Sequence, residues 1–173
     1  DHKTFLQAAS KVLSKRNDVL FVCVGDGNIK YLEDLQQYSE GLGISKNIRW
    51  QPGQMDIENA YNALDVLVST SAFGEGFSNT LAEAMSCGVR CVATNVGDAE
   101  KILFDTGIVV PPGNSSAVAD GILALLDFSD SENSKFKKLA IDHIRKNYSI
   151  DQLVSNTLNV FKNRLYESFV PGK

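Results

Sequence analysis

The residues with the clearest capacity for chemistry stand in GEGFSNTLAEAMSCG, positions 74 to 88. Two glycines, Gly74 and Gly76, flank Glu75, and a second acid, Glu83, follows eight residues later on an apolar helical pattern. Glycine lets the backbone approach a ligand closely, and Ser78 or Asn79 is suited to cap the helix that follows. The amides opening that helix, near Asn79 to Leu81, then point outward with the positive end of the helix dipole behind them, an arrangement that suits a phosphate. Neither carboxylate is a sensible phosphate ligand, but each accepts hydrogen bonds from hydroxyls. A ligand with phosphates in its middle and hydroxyl-rich groups on both sides fits this pattern, which describes a nucleotide sugar. Spacing alone does not establish it, because acids eight apart occur by chance and a first-turn helix acid needs no ligand.

The elements that must position these residues alternate in type. Helical spacing over 3–16 gives way to the apolar run VLFVCVG at 19–25, followed by a helix over 31–43 closed by glycines. Then come a strand at 47–50, a helix at 56–64, a strand at 65–71, the glycine-rich turn, a helix at 80–87 and a strand at 90–94. A short helical turn around 100–103, a strand at 107–111 and helices over 115–127, 132–147 and 150–168 complete the chain. Strands alternating with helices specify an α/β fold with a mainly parallel sheet. The unbroken apolarity of Leu20 to Val24 predicts a central strand covered on both faces. Ligands of such sheets bind at the carboxyl ends of the strands, where the opening segment lies.

The chain has 173 residues, formal net charge -4 and 43% hydrophobic residues, which predicts one globular domain with a substantial core. The acidic balance argues against a basic, sequence-independent grip on nucleic acid or an anionic membrane; Lys135, Lys137 and Lys138 read as a solvated helix face. Cys23, Cys87 and Cys91 form no CxxC pair and read as reduced, mostly buried thiols, with no metal site expected. No membrane span or signal peptide is visible, so the cytoplasm is the expected compartment.

SAFGEGFSNTLAEAMSCGVRCVATNVGDAE resembles the nucleotide-binding region of retaining, GT-B-type glycosyltransferases of group 1. Glu75, Gly76, Phe77, Glu83, Ala84, Met85 and Gly88 fall in place on the family pattern E-G-F-x-x-x-x-x-E-A-M-x-x-G. The blocks DHKTFLQAASKVL, VLFVCVGDG, NIRWQPG, DVLVSTSA, GIVVPPGN and NYSIDQLVSNTLNVFKNRLYES look like consecutive parts of the same C-terminal domain. The resemblance implies a Rossmann-like parallel sheet flanked by helices, the C-terminal half of a GT-B fold lacking its first strand. It also implies that residues 1–173 are a single donor-nucleotide-binding domain, with the N-terminal acceptor-binding domain absent. Glu75 and the amides of Gly76, Phe77, Ser78, Asn79 and Thr80 are then expected at the donor sugar and diphosphate, with Glu75 as the group acting at the sugar and Glu83 at the ribose. The base is expected against Arg49, Trp50 and Gln51, with Trp50 read either as a stacking surface or as core. Gly25, Asp26 and Gly27 are expected to shape the adjacent loop.

The implied reaction transfers a sugar from a nucleoside diphosphate sugar to an acceptor hydroxyl with retention, without an essential metal or other cofactor. Bacterial-type polysaccharide or glycolipid synthesis is the expected setting, which leaves room for peripheral membrane association of a full-length enzyme. The chain by itself is expected to be inactive. The pattern departs at Arg90, where the family commonly has proline and where a loosened turn is expected. It also implies, before Asp1, a strand followed by an arginine and a lysine that neutralise the diphosphate; His2 and Lys3 do not replace them. In a 3-2-1-4-5-6 order that strand lies between those at 19–24 and 66–69, so the two either close up, are bridged by another chain, or belong to a larger polypeptide. Three rival readings are a dehydrogenase module, whose GxGxxG fingerprint fails at Lys30, a GT-B epimerase, and a non-catalytic GT-B-like scaffold.

Overall fold

In the computed structural model, residues 1–53 and 56–169 are described. Helix α1 spans His2–Leu13, strand β1 Phe21–Val24, α2 Ile29–Gly41, β2 Ile48–Gln51, α3 Ile57–Asn62 and β3 Val66–Ser69. Then follow α4 Asn79–Ser86, β4 Arg90–Thr94, α5 Ala99–Leu103, β5 Gly107–Val110, α6 Ser115–Leu126, α7 Asp130–Tyr148 and α8 Ile150–Phe169. Every strand pairing is parallel, as the helical crossovers require. None of the helices is long and apolar enough to cross a membrane among the described residues.

The core forms on both faces of β4, because successive strand side chains point to opposite sides. Val92 joins Val110 of β5 in a layer with Leu6, Ala9 and Val12 of α1 and Val118, Ile122 and Leu125 of α6. Its neighbours Cys91 and Ala93 turn the other way, into a layer built from Leu81 and Met85 of α4, Ile102 of α5 and Phe136, Ala140 and Ile144 of α7. All five residues of β4 are buried. Each full-size apolar side chain so buried contributes about 1.5–3 kcal/mol before entropy is subtracted.

The strands do not form one continuous sheet. β1 pairs only with β2, whereas β3, β4 and β5 form a separate three-stranded sheet. Between β1 and β3 runs a slot of about 480 Å³, walled by Leu20 and Val22 on one side and Val66 and Val68 on the other. The two strands therefore do not close up. Helix α1 bridges them on one face, with Phe5 edge-on to Phe21 at a centroid distance of 5.6 Å. The expectation of a β1 covered on both faces is corrected: Leu20 is 54% exposed, and Val22 and Val24 are also partly in solvent, because the strand borders the slot.

Two further expectations change. Arg90 does not loosen a turn; it is buried at the start of β4 and donates from Nε to the Asp65 carbonyl and from a terminal nitrogen to the Leu125 carbonyl. It ties the strand to the ends of two neighbouring segments. Of the thiols, Cys91 is buried, but Cys23 and Cys87 are only partly covered.

Candidate functional site

The turn joining β3 to α4 is fixed by its neighbours more than by itself. Thr94, closing β4, donates its hydroxyl to the Ser71 carbonyl at 2.6 Å, and Ser71 in turn donates to Glu75 Oε1 at 2.9 Å. The loop after β4 presses on the turn from the other side, with the Asp98 amide donating to the Gly76 carbonyl at 2.9 Å. Gly97 makes this approach possible: it sits at φ 59°, and a Cβ there would lie 2.3 Å from the Gly76 carbonyl oxygen. Gly74, at φ 79°, supplies the left-handed step that brings Glu75 inward.

Helix α4 then starts without a side-chain cap. Ser78 occupies the N-cap position and is buried, yet its side chain makes no hydrogen bond to the helix amides. Helices α1, α2, α6 and α7 are each capped by a side-chain oxygen, from Asp1, Asn28, Asn114 and Ser129. The leading amides of α4 thus keep hydrogen-bonding capacity that those four ends spend internally, as do those of the shorter α3 and α5, whose N-cap residues Asp56 and Asp98 also make no side-chain cap. In front of the turn lies a cleft of about 630 Å³, continuous with the slot and lined by Val24, Tyr61, Ser69, Glu75, Ser78 and Thr80 among others. That volume falls in the ~300–1,000 Å³ range of small-molecule sites. Among the described residues no lysine or arginine lines it, and Lys3 instead stands 5.7 Å above the Tyr38 ring.

Glu83 is exposed on α4, outside the cleft lining, and its Oε2 accepts a hydrogen bond of 2.8 Å from the Tyr61 hydroxyl. Tyr61 is buried at the end of α3 and is one of the residues lining the cleft. Burial first, and then the hydrogen bond to Glu83, push its hydroxyl up to about 12. It is therefore a donor at any physiological pH. Neither glutamate is sequestered in the interior, and both retain an oxygen for a ligand.

The remaining candidates lie elsewhere. Gly25, at φ 149°, donates its amide to the Gln51 carbonyl, and Asp26 Oδ1 accepts from the Gly53 amide at 3.1 Å, so this loop is stitched to the end of β2. Gly27 faces open space. Arg49 folds back to donate to the Lys46 and Ile48 carbonyls, Trp50 packs half-buried against the core layer, and Gln51 is exposed. None of these six residues is in the lining that holds Glu75. Phe77 turns to Tyr148 at the end of α7, with ring centroids 5.2 Å apart, while Asn79 is exposed at the start of α4.

The structure thus gathers Glu75, Ser78 and Thr80 in one cleft and adds Tyr61 and Ser71 to its lining, with Gly97 packed against the turn, none of which sequence reading singled out. Nothing in local spacing links residue 61 to residue 83 or residue 97 to residue 76. Phe73, 87% exposed on the same turn, also escaped notice.

Known proteins share the same outline. The family model described as Glycosyl transferases group 1 matches residues 1–127. Phosphatidyl-myo-inositol mannosyltransferase of Mycobacterium leprae (strain TN) is 29% identical over 162 residues, covering 91% of this chain and 41% of the relative. A glycosyltransferase from Rickettsia africae ESF-5 superposes with a TM-score of 0.87 at 25% identity, over 95% of this chain and 44% of that one. A mutant of S. aureus TarM, in complex with fondaparinux, alpha-GlcNAc-glycerol and UDP, superposes with a TM-score of 0.80 at 25% identity, over 91% of this chain and 32% of that one. The chain spans about two fifths of the length of the first curated relatives it matches, 41% and 43%.

Proposed function

The chain belongs to the glycosyl transferases group 1 family, its fold is the C-terminal half of a GT-B enzyme, and on that premise we propose that it binds the nucleoside diphosphate sugar donor of a retaining sugar transfer. The observation that carries this reading is the N-terminus of α4, lacking a side-chain cap, beside a cleft lined by Glu75 and by Tyr61, whose hydroxyl holds Glu83 just outside that lining. The amides from Phe77 to Thr80 receive the diphosphate, Glu75 accepts from the donor sugar, and Glu83 accepts from the ribose. The base lies toward Arg49, Trp50 and Gln51, met largely through backbone groups, in keeping with the half-buried packing of Trp50 and the donation of the Arg49 guanidinium to the Lys46 carbonyl. The complex of TarM with UDP is in keeping with this ligand class.

The chemical task is to stabilise a diphosphate leaving group while positive charge develops at the anomeric carbon. Fixed amide dipoles at a helix start do this without reorganising. Glu75 positions the sugar and is not assigned as a covalent nucleophile. Among the described residues the cleft lining holds no lysine or arginine, and its one imidazole, His2, is shifted by burial toward the neutral form, so transfer calls on groups beyond those that line it. No essential metal enters the proposed reaction. The product is a glycoside of a polysaccharide or glycolipid pathway.

Isothermal calorimetry with UDP, GDP, ADP and NAD tests the reading. One of the nucleoside diphosphates binds and NAD does not, and Glu83→Ala weakens binding by about 1–3 kcal/mol through loss of charge-assisted hydrogen bonds. Unchanged affinity removes the ribose role. Glu75→Gln lowers turnover of the intact enzyme more than it lowers nucleotide affinity; equal losses remove the sugar-specific role.

A further inference from the structure

We infer that Tyr61 is a positioning residue for nucleotide recognition: by holding one carboxylate oxygen of Glu83, it presents the other to the ribose hydroxyls. This rests on the donor-binding reading above and adds the group that makes Glu83 selective for a ribose.

Glu83 belongs to the exposed surface of α4, where a glutamate side chain samples several rotamers, and among the described residues it has no ion-pair partner. A carboxylate free to rotate must be ordered when the nucleotide arrives, at an entropic cost. The Tyr61 hydroxyl removes that cost in advance. Its ring is 6% exposed and packed with Leu81 and Met85 in the layer beneath α4, so the hydroxyl has a fixed origin. The hydrogen bond, 2.8 Å to Oε2, runs from α3 to α4 across 22 residues of sequence. It therefore ties the orientation of the carboxylate to the packing of two helices.

The direction of the bond matters as well as its length. Burial keeps the phenol protonated, with its hydroxyl pushed up to about 12, so Tyr61 donates and Glu83 accepts at every working pH. Oε1 has no partner among the described side chains, and it is left as an acceptor for a ribose diol. A buried tyrosine whose hydroxyl needs any acceptor also gives this bond. That purely structural role predicts an effect on stability, but none on discrimination between ribose and a sugar without hydroxyls.

The test uses the intact protein, titrated by calorimetry with UDP and GDP in their ribose and 2′,3′-dideoxyribose forms. Tyr61→Phe keeps the ring and removes the hydroxyl. It is expected to weaken the ribose form of the preferred nucleotide about 3- to 10-fold, the net worth of one ordinary hydrogen bond, and to leave the dideoxy form within two-fold. Glu83→Ala is expected to bring the ribose-to-dideoxy ratio close to one, and Tyr61→Phe in that background to change it no further. A ratio that Tyr61→Phe leaves intact while Glu83→Ala collapses it overturns the role of Tyr61 alone. A ratio insensitive to Glu83→Ala overturns the ribose assignment beneath it. The wild-type protein offers a check that needs no variant: the Tyr61 hydroxyl proton gives a slowly exchanging NMR signal that persists with the nucleotide bound. Its disappearance on binding means that Glu83 leaves Tyr61, and that overturns the inference.

Discussion

The two sheets invert what their sequences promise. VLFVCV, apolar throughout, supplies β1, where Val22 is 37% and Val24 40% exposed. RCVAT, which carries an arginine and a threonine, supplies β4, buried at every position. The difference lies in neighbours. β4 is flanked by β3 and β5 and covered by helices on both faces, whereas β1 has one partner strand and borders the slot. Apolarity states what a strand is able to bury, and the partners determine what it does bury.

The largest expected break in this comparison comes from placing a charge on each sheet. Val92→Asp puts a carboxylate with no partner at a position with 0% exposure, and urea unfolding should show a loss above about 4 kcal/mol or no folded protein. Val22→Asp, facing the slot, should cost no more than about 1 kcal/mol in the same measurement. Equal losses would mean that β1 is as enclosed as β4.

Next in size is Arg90→Ala. It leaves the Asp65 and Leu125 carbonyls without their donor and opens space behind β4, for an expected loss of about 3 kcal/mol. Arg49→Ala on β2, whose side chain is exposed, should change stability by less than about 0.5 kcal/mol. A larger effect at Arg49 than at Arg90 would reverse the ranking of the two sheets.

Gly97→Ala carries the comparison into the site. The added Cβ meets the Gly76 and Glu75 carbonyls, so the turn must shift, and nucleotide affinity should fall about ten-fold, or about 1.4 kcal/mol. Gly27→Ala, on the loop after β1, meets nothing and should leave affinity within two-fold. Affinity falling at Gly27 but not at Gly97 would move the binding site to the other sheet.

The smallest effect is alkaline. Burial pushes the Cys91 thiol up to about 12 and the Cys23 thiol up to about 11, from an ordinary value of 9.0. Both favour the neutral thiol when folded, so their contribution is complete below pH 9 and is lost as pH rises from there through the folded values. The melting temperature should stay level up to about pH 9 and then decline by about 2–4 °C per kcal/mol lost. Cys91→Ala should flatten the decline more than Cys23→Ala, since Cys91 lies in the better enclosed sheet. A melting temperature that holds level to pH 11 would argue against that enclosure.

Much of the fold is legible in the residues themselves. Alternating apolar runs and helical periods locate five strands in order, and parallel pairing follows from the helices between them. Glycines, a serine and two acids mark the turn before α4 as the candidate site. Those features are local, fixed by side-chain period, backbone freedom and capping chemistry within a few residues. Tertiary structure decided everything that depends on distant partners: the slot that leaves apolar β1 half exposed, the burial of Arg90, and the contact of Gly97 with the turn two elements earlier. It also joined Tyr61 to Glu83. No period or spacing encodes a hydrogen bond between two helices, because it arises only when packing brings their surfaces together.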